Sequence, residues 1–165
     1  MKSGLTIRED NYSVVLDALK QLSGTDVLVG IPAGPPRDDA PLSNAELGYL
    51  QSTGATVEID GETVTLPPRP FLDMGIEDSR DKTTERLKLA AQSALEGNAG
   101  VAEQHLEAAG QIASSASKAI IGSGDRLTPL SEKTKAKRRK NGQDFKPLYD
   151  THSLMDSITY IVRKK

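Results

Sequence analysis

The sequence predicts an α+β fold in which a small, mostly antiparallel sheet packs against a long αα-hairpin, with extended loops. Residues 71–121 are rich in helix formers and contain no proline, and they are divided once, by the Gly-Asn-Ala-Gly stretch at 97–100. Short apolar or alternating segments bounded by turn residues occur at 26–31, 56–66 and 157–162, a pattern typical of strands. We therefore expect these three segments to form one sheet, and the helical hairpin to cover one of its faces.

The first part of the chain is predicted to contain a helix and a buried strand. Across residues 10–22, apolar residues recur at helical spacing: Val14, Val15, Ala18, Leu19 and Leu22. The apolar run at 26–31 follows and is predicted to be a strand. Pro32 ends it, and the Pro- and Gly-rich residues 32–41 are predicted to form a loop.

A capping box predicts where the second helix begins. In Ser43-Asn44-Ala45-Glu46, the Ser43 hydroxyl can accept a hydrogen bond from the Glu46 amide, while the Glu46 carboxylate reaches back to the start of the helix. A helix of about two turns is expected to follow and to end at Gly54.

A hairpin and a proline-rich segment come next. The alternating segments 56–59 and 63–66 flank Asp60-Gly61, a strong signal for a β-hairpin. The three prolines of Pro67-Pro68-Arg69-Pro70 fix φ and remove backbone donors, so neither a helix nor a central strand can continue through them. We expect this segment to set the direction in which the next helix leaves the sheet, with Phe71 as its first apolar anchor.

Two long helices are predicted, the first from 71 to about 96 and the second from 101 to about 121. The middle of the first, residues 77–86, is polar on every face, so it is expected to be exposed or to lie against a polar partner. The second helix carries an apolar stripe at helical spacing: Val101, His105, Ala108, Ala109, Ile112, Ala116, Ala119 and Ile120. The short break between them predicts an antiparallel pair.

The C-terminal part is predicted to hold a short basic helix over 131–140 and a final strand over 157–162. Asp150 or Thr151 is expected to cap a turn or helix start before that strand. We expect the whole chain to be one domain in three parts: 1–66, 67–121 and 122–165.

Composition predicts a modest core. Hydrophobic residues make up 36% of the 165 residues and aromatic residues 4%, and the chain has neither Trp nor Cys. We therefore expect part of the stability to come from neighbouring subunits, with no disulfide and no thiolate metal site. The chain begins without the apolar run of a signal peptide, and no window approaches the ~18 apolar residues of a membrane span. Synthesis in the cytoplasm and no membrane partner are the expectations.

No catalytic constellation emerges from the sequence. The two histidines, His105 and His152, have no cysteine and no His-x-x-x-His partner, and Glu46 and Asp150 have no feature that marks them as catalytic carboxylates. His105 is expected to be a partly buried stripe residue, and His152 a capping or surface residue. The sequence therefore predicts a protein that is not an enzyme, with no metal and no cofactor.

One segment is strongly basic. Residues 131–140 carry six Lys or Arg against one Glu, so this segment is +5 while the remainder of the chain is −7. The basic residues are Lys133, Lys135, Lys137, Arg138, Arg139 and Lys140. They predict either a solvated helix or electrostatic contact with phosphates, or with an acidic partner. Because aromatic residues are not interleaved with them, base stacking is not expected.

Three ordered motifs resemble the tail-completion, or neck, proteins of tailed bacteriophages, also called virion-morphogenesis proteins. The first runs from Ser43 to Gly54 and contains Asn-Ala-Glu and a terminal Gly, and the second is Pro67-Pro68-Arg69-Pro70-Phe71-Leu72. The third runs from Leu130 to Tyr160 and includes Lys-Pro-Leu, Asp-Thr-His and Ser-Ile-Thr. Two departures stand out: His152 occupies a position where the family usually has Gly, and the Asp60-Gly61 hairpin is longer than the family's short connection.

The resemblance implies a structural role without catalysis, at the head-proximal end of the tail in the virion. Such proteins form a ring, with a hexamer the expected form, and contact tail-terminator or tail-tube proteins and the head–tail connector. Candidate interface residues are Asn44, Glu46, Tyr49, Arg69, Pro70, Phe71, Leu148 and Leu154. The basic residues of 131–140 would face genomic DNA in the channel or an acidic neighbour. Alternatives are a tail-terminator or head-closure protein and, from another class, a small non-specific DNA-binding protein.

Overall fold

The computed structural model describes residues 11–38, 41–59, 61–149 and 152–165, and within them the predicted α+β class is confirmed. The elements in chain order are α1 Tyr12–Ser23, β1 Thr25–Gly30, α2 Asn44–Thr53, β2 Ala55–Ile59, β3 Glu62–Leu66, α3 Phe71–Leu95, α4 Ala99–Ser123, α5 Glu132–Lys140, α6 Ser153–Asp156 and β4 Thr159–Lys164.

The predicted single sheet is wrong: within the described ranges the strands form two separate two-stranded antiparallel sheets. β1 pairs with β4, from Thr25 opposite Lys164 to Gly30 opposite Thr159. β2 pairs with β3, from Ala55 opposite Leu66 to Ile59 opposite Glu62. An alternating pattern identifies a strand but does not specify its neighbour, because pairing depends on where distant segments meet.

The last strand begins two residues later than predicted. The short helix α6 comes first, with Leu154 buried, and β4 starts at Thr159. The predicted caps Asp150 and Thr151 lie outside the described residues, as does Asp60 of the predicted hairpin turn. The N-cap of α6 is His152.

The αα-hairpin is the largest element of the fold. α3 and α4 have 25 residues each, so each is about 37 Å long at 1.5 Å per residue. The predicted polar middle of α3, residues 77–86, is exposed except at Ser79, which is buried, and at Thr83, which is half-buried. β1 and β4 lie along α4, with Tyr160 against Gly110.

The buried face of α4 is rotated from the predicted stripe. Val101 and Ala119 of that stripe are exposed. The buried residues are mostly small: Ala102, Ala109, Gly110, Ala113, Ser114, Ser117, Ile120 and Ile121. Small residues allow the backbones of neighbouring elements to approach closely, and a search for apolar residues alone does not weigh Gly and Ser in this role.

Among the described residues, two apolar clusters stabilise the fold, one at each end of the hairpin. The larger contains Phe71, Ile120, Ile121, Leu127, Leu154 and Ile158. The smaller, at the turn between α3 and α4, contains Ala18, Ala94 and Ala102, with Leu22 of α1 packed against it. Among the described helices, none combines the length and the apolar character needed to cross a membrane.

Candidate functional site

Arg69, in the proline-rich segment between β3 and α3, is 6% exposed. Its Nε donates to the Thr128 carbonyl at 2.7 Å, and its Nη2 to the Pro129 carbonyl at 3.1 Å. Its Nη1 donates to Gln51 Oε1 at 3.1 Å. Burial, and then repulsion from Arg138, lowers the pKa of Arg69, but a guanidinium stays charged in proteins. The described residues include no carboxylate in ion-pair contact with it, so neutral acceptors hold this charge.

The same segment holds the C-terminal end of α2. The Arg69 amide donates to the Gln51 carbonyl at 2.8 Å. Gly54 has a φ of +76°, and a Cβ atom there would lie 2.9 Å from the Leu66 carbonyl oxygen and 3.0 Å from the Pro68 nitrogen. Only glycine tolerates both the positive φ and the lack of space for a Cβ atom. The predicted helix end at Gly54 is confirmed, and this is its steric reason.

The N-terminal end of α2 is held by the predicted capping box. Ser43 N donates to Glu46 Oε2 at 2.9 Å, and Glu46 N donates to Ser43 Oγ at 3.3 Å. Asn44 Nδ2 donates to Ser153 Oγ at 3.1 Å. The bond from Asn44 connects the start of α2 to α6, more than one hundred residues further along the chain.

The three motif segments meet around Gly48 of α2. A Cβ atom at this position would lie 2.7 Å from Ile31 Cδ1, 3.5 Å from Leu154 Cδ1 and 3.7 Å from Phe71 Cζ. Because α2, the start of α3 and α6 share this contact, the segments used for the family resemblance form one packed unit.

A cleft of about 440 Å³ opens beside this unit, between β3, α2 and α5. Arg37, Arg69 and Arg138 line it, and none of its described lining residues is Asp or Glu. Leu148, also on its wall, has a φ of +62°, a strained value for leucine. The described lining of the cleft is therefore cationic, with apolar walls and one strained residue.

The basic residues form α5, whose start is capped by Ser131 Oγ, which accepts from Thr134 N at 3.2 Å. Two of the lysines have carboxylate partners in the chain: Lys133 Nζ lies 3.0 Å from Glu62 Oε2, and Lys135 Nζ lies 2.8 Å from Glu132 Oε1. The predicted helix is confirmed, and part of its positive charge is paired with carboxylates of the same chain.

The end of α5 carries the remaining basic side chains. Arg138 Nη1 donates to the carbonyls of Asp144 and Lys146 at 2.8 and 3.0 Å. The Arg139 guanidinium carbon lies 5.7 Å from the centre of the Phe145 ring. Lys137 and Lys140 are exposed. Four basic residues in the last turn also suit the negative end of the helix dipole.

The predicted interface residues lie in different environments. Phe71 and Leu154 are buried in the larger apolar cluster, and Arg69 is buried beside the cleft. Asn44 and Glu46 are engaged at the start of α2. Pro70 and Leu148 are half-buried, and Tyr49 is 69% exposed. Tyr49 is thus the large side chain of this set that a partner can reach without rearrangement.

The two histidines are accounted for by local contacts. His105 is half-buried, as predicted, and its Nδ1 lies 3.5 Å from Arg86 Nη1. The His152 ring meets the Tyr149 ring edge-on at 4.2 Å between centroids. No group of three or more His, Cys, Asp or Glu side chains in the described part of the chain is arranged to hold a metal ion.

Sequence reasoning missed the acceptors of Arg69 and the polar lining of the cleft. Gln51, Thr128 and Pro129 are 18, 59 and 60 residues from Arg69. A buried guanidinium needs hydrogen-bond acceptors, so an arginine between prolines could have indicated that such acceptors exist. No spacing in the sequence identifies which residues supply them.

Comparison of the chain with family models, with curated proteins and with solved structures finds no match. The family resemblance therefore rests on the three sequence motifs.

Proposed function

We propose that this chain is a structural protein of a tailed-phage virion, a tail-completion or neck component that assembles into a ring at the head–tail junction. The observation that carries the proposal is the ordered set of three motifs whose segments pack together. Asn44 contacts Ser153, Arg69 contacts Gln51, and Gly48 lies between Phe71 and Leu154. Motifs that are scattered in sequence but form one unit are expected of a shared fold, rather than of chance similarity.

The surface supports assembly with neighbours. Several large apolar side chains are strongly exposed, among them Leu19, Tyr49 and Ile161. Subunit contacts would remove such side chains from water, and a ring forms when a head-to-tail interface closes on itself.

The test is the mass of the purified full chain in solution over a wide range of concentrations, at low and at moderate salt. We expect a closed oligomer of one defined mass that does not grow with concentration. A monomer at every concentration and salt would contradict a ring formed by this chain alone. An open series of increasing masses would contradict closure.

A pair of tyrosine variants makes the test specific. Tyr49 lies on α2 beside the proline-rich segment, whereas Tyr12 lies on α1 at the other end of the hairpin, and both are strongly exposed. Tyr49→Ser is expected to weaken the oligomer and Tyr12→Ser to leave it intact. Equal effects would contradict an interface around the proline-rich segment. A cryo-electron microscopy reconstruction of assembled virions then separates a neck position from tail-terminator and head-closure positions.

A second candidate function is non-specific DNA binding by α5. Its support is the exposure of Lys137 and Lys140, next to Arg139, in the last turn of the helix. Clustered cations of this kind bind a phosphate backbone through charge alone. This function is compatible with a ring through which DNA passes.

A further inference from the structure

One edge of β3 is unpaired, and it faces the cationic cleft. Among the described strands, β3 pairs only with β2. Four consecutive residues, Val64 to Pro67, line the cleft. Side chains of a strand alternate between two faces, so consecutive lining residues indicate that the backbone edge is directed into the cleft.

The strand register identifies which backbone groups point there. Ile59 and Glu62 are paired across a two-residue connection, so this pair exchanges hydrogen bonds, as do Val57 with Val64 and Ala55 with Leu66. The residues between them, Thr63 and Thr65, direct their N–H and C=O groups to the outer edge. Thr65 is exposed and lies on the cleft wall.

The opposite wall supplies polar and cationic side chains. Thr134 and Arg138 are one turn apart on α5, and both line the cleft. Arg69 contributes a buried guanidinium at the closed side, where three of its five N–H groups have acceptors. With no Asp or Glu among the described lining residues, an anionic group entering the cleft would meet positive charge from several directions.

We infer that this cleft docks an extended, acidic peptide segment of a partner protein, which adds as a strand to the free edge of β3. Main-chain bonds to Thr63 and Thr65 would supply affinity, and carboxylates directed toward Arg138 and Arg69 would supply selectivity. The apolar side chains of Leu47, Leu66 and Leu148 would receive the alternate residues of the segment.

A peptide suits the cleft better than a nucleic acid does. No aromatic side chain is among the described lining residues, so bases would have nothing to stack on. A phosphate backbone offers no N–H donors to the outward carbonyls of β3, whereas a peptide strand satisfies both donors and acceptors. The inference goes beyond the proposed virion role and does not depend on it.

The experiment is a titration of the ¹⁵N-labelled full chain with a short, end-blocked peptide of alternating valine and glutamate. We expect saturable shifts of the Thr63 and Thr65 amide signals. A matched peptide of alternating valine and glutamine is expected to bind about tenfold or more weakly, because each charge-assisted hydrogen bond contributes more than a neutral one. Equal binding of the two peptides, or shifts confined to Lys137 and Lys140, would overturn the inference.

Two pairs of variants locate the binding mode. Thr65→Pro removes the outward N–H of β3, and Thr56→Pro removes the corresponding N–H from the opposite edge, on β2. The first should abolish binding and the second should preserve it. Arg138→Gln should weaken binding about tenfold, while Lys140→Gln, with the same change of charge, should not. If Thr65→Pro binds like the parent chain while its amide spectrum is intact, strand addition is excluded.

A competition arm separates the peptide from other anions. A single-stranded oligonucleotide and inorganic phosphate are each added to the peptide complex. The competitors are added at the same concentration of negative charge as the peptide. If the peptide stays bound, the cleft is a peptide site. Full displacement of the peptide by the oligonucleotide would overturn the inference in favour of a nucleic-acid site.

Discussion

Gly75 of α3 lies so close to Ser117 of α4 that a Cβ atom at position 75 would overlap the Ser117 nitrogen and Cα atoms. Both residues are buried, and Ser117 Oγ donates to the Ala113 carbonyl of its own helix at 3.0 Å. The two long helices are therefore in backbone contact at this point, near the base of the hairpin.

Gly75→Ala is expected to destabilise the protein by about 1–3 kcal/mol, because the helices must separate to admit the methyl group. The intrinsic preference of helices for alanine over glycine, about 1 kcal/mol, would change the free energy of unfolding in the opposite direction. Gly122→Ala is the matched control, since a Cβ atom there meets nothing within 4 Å. Urea denaturation checks both. A Gly75→Ala variant as stable as the parent would contradict the close contact.

Arg69→Lys is expected to cost about 2–3 kcal/mol, because one ammonium group cannot reproduce the fork that reaches Gln51, Thr128 and Pro129. The measurement is the free energy of unfolding in urea. Arg80→Lys serves as the control, since Arg80 is exposed and its ion pair with Glu77 lies at the surface, where about 0.5 kcal/mol or less is expected. Similar losses in both variants would contradict a special role for the buried guanidinium.

His152 adopts a φ of +60°, the left-handed conformation that glycine takes without strain. His152→Gly and His152→Ala both remove the ring contact with Tyr149, but only glycine relieves the backbone strain. We expect the glycine variant to be more stable than the alanine variant by about 0.5–1 kcal/mol, after allowance for the greater freedom of glycine in the unfolded chain. Thermal unfolding of the two variants measures this difference in stability. An alanine variant as stable as the glycine variant, or more stable, would contradict backbone strain at position 152.

The capping box should make stability depend on pH. The Ser43 amide, and then the Ser43 hydroxyl, donate to the Glu46 carboxylate and hold its pKa below the ordinary 4.5. Since the folded pKa is the lower one, this contribution is complete above pH 4.5 and is lost as the pH falls through the folded value. Glu46→Gln should therefore be less stable than the parent near neutral pH, with the difference disappearing in acid. A stability difference between the two proteins that stays the same from neutral pH into acid would contradict this role of the carboxylate.

The DNA-binding candidate predicts a change in salt dependence. If α5 contacts phosphates, the double variant Lys137→Gln/Lys140→Gln should reduce the slope of log K against log salt for duplex DNA by about 2. A double variant of exposed lysines on α3, Lys82→Gln/Lys88→Gln, is the control with the same change in charge. An unchanged slope, or no binding at low salt, would contradict this function.

Local features of the fold were predictable from residues close together in the sequence. The box formed by Ser43 and Glu46, the helix end at Gly54 and the helix that starts after Ser131 each depend on contacts within a few positions. The basic residues were also found correctly as one helix. Which of them would form contacts within the chain was not predictable. The partner of Lys133 is Glu62 of β3, and Arg138 bonds to carbonyls of the loop after α5, whose path the sequence does not specify.

The sequence by itself determined where most helices and strands begin and end, because caps, turns and prolines act on the backbone over a few residues. Only the tertiary structure decided that β1 pairs with β4 while β2 and β3 remain a separate hairpin. It also decided which face of α4 is buried and which carbonyls receive Arg69. Each of these depends on a close approach between residues far apart in sequence, and there the space left by Gly75 or Gly110 matters more than hydrophobicity.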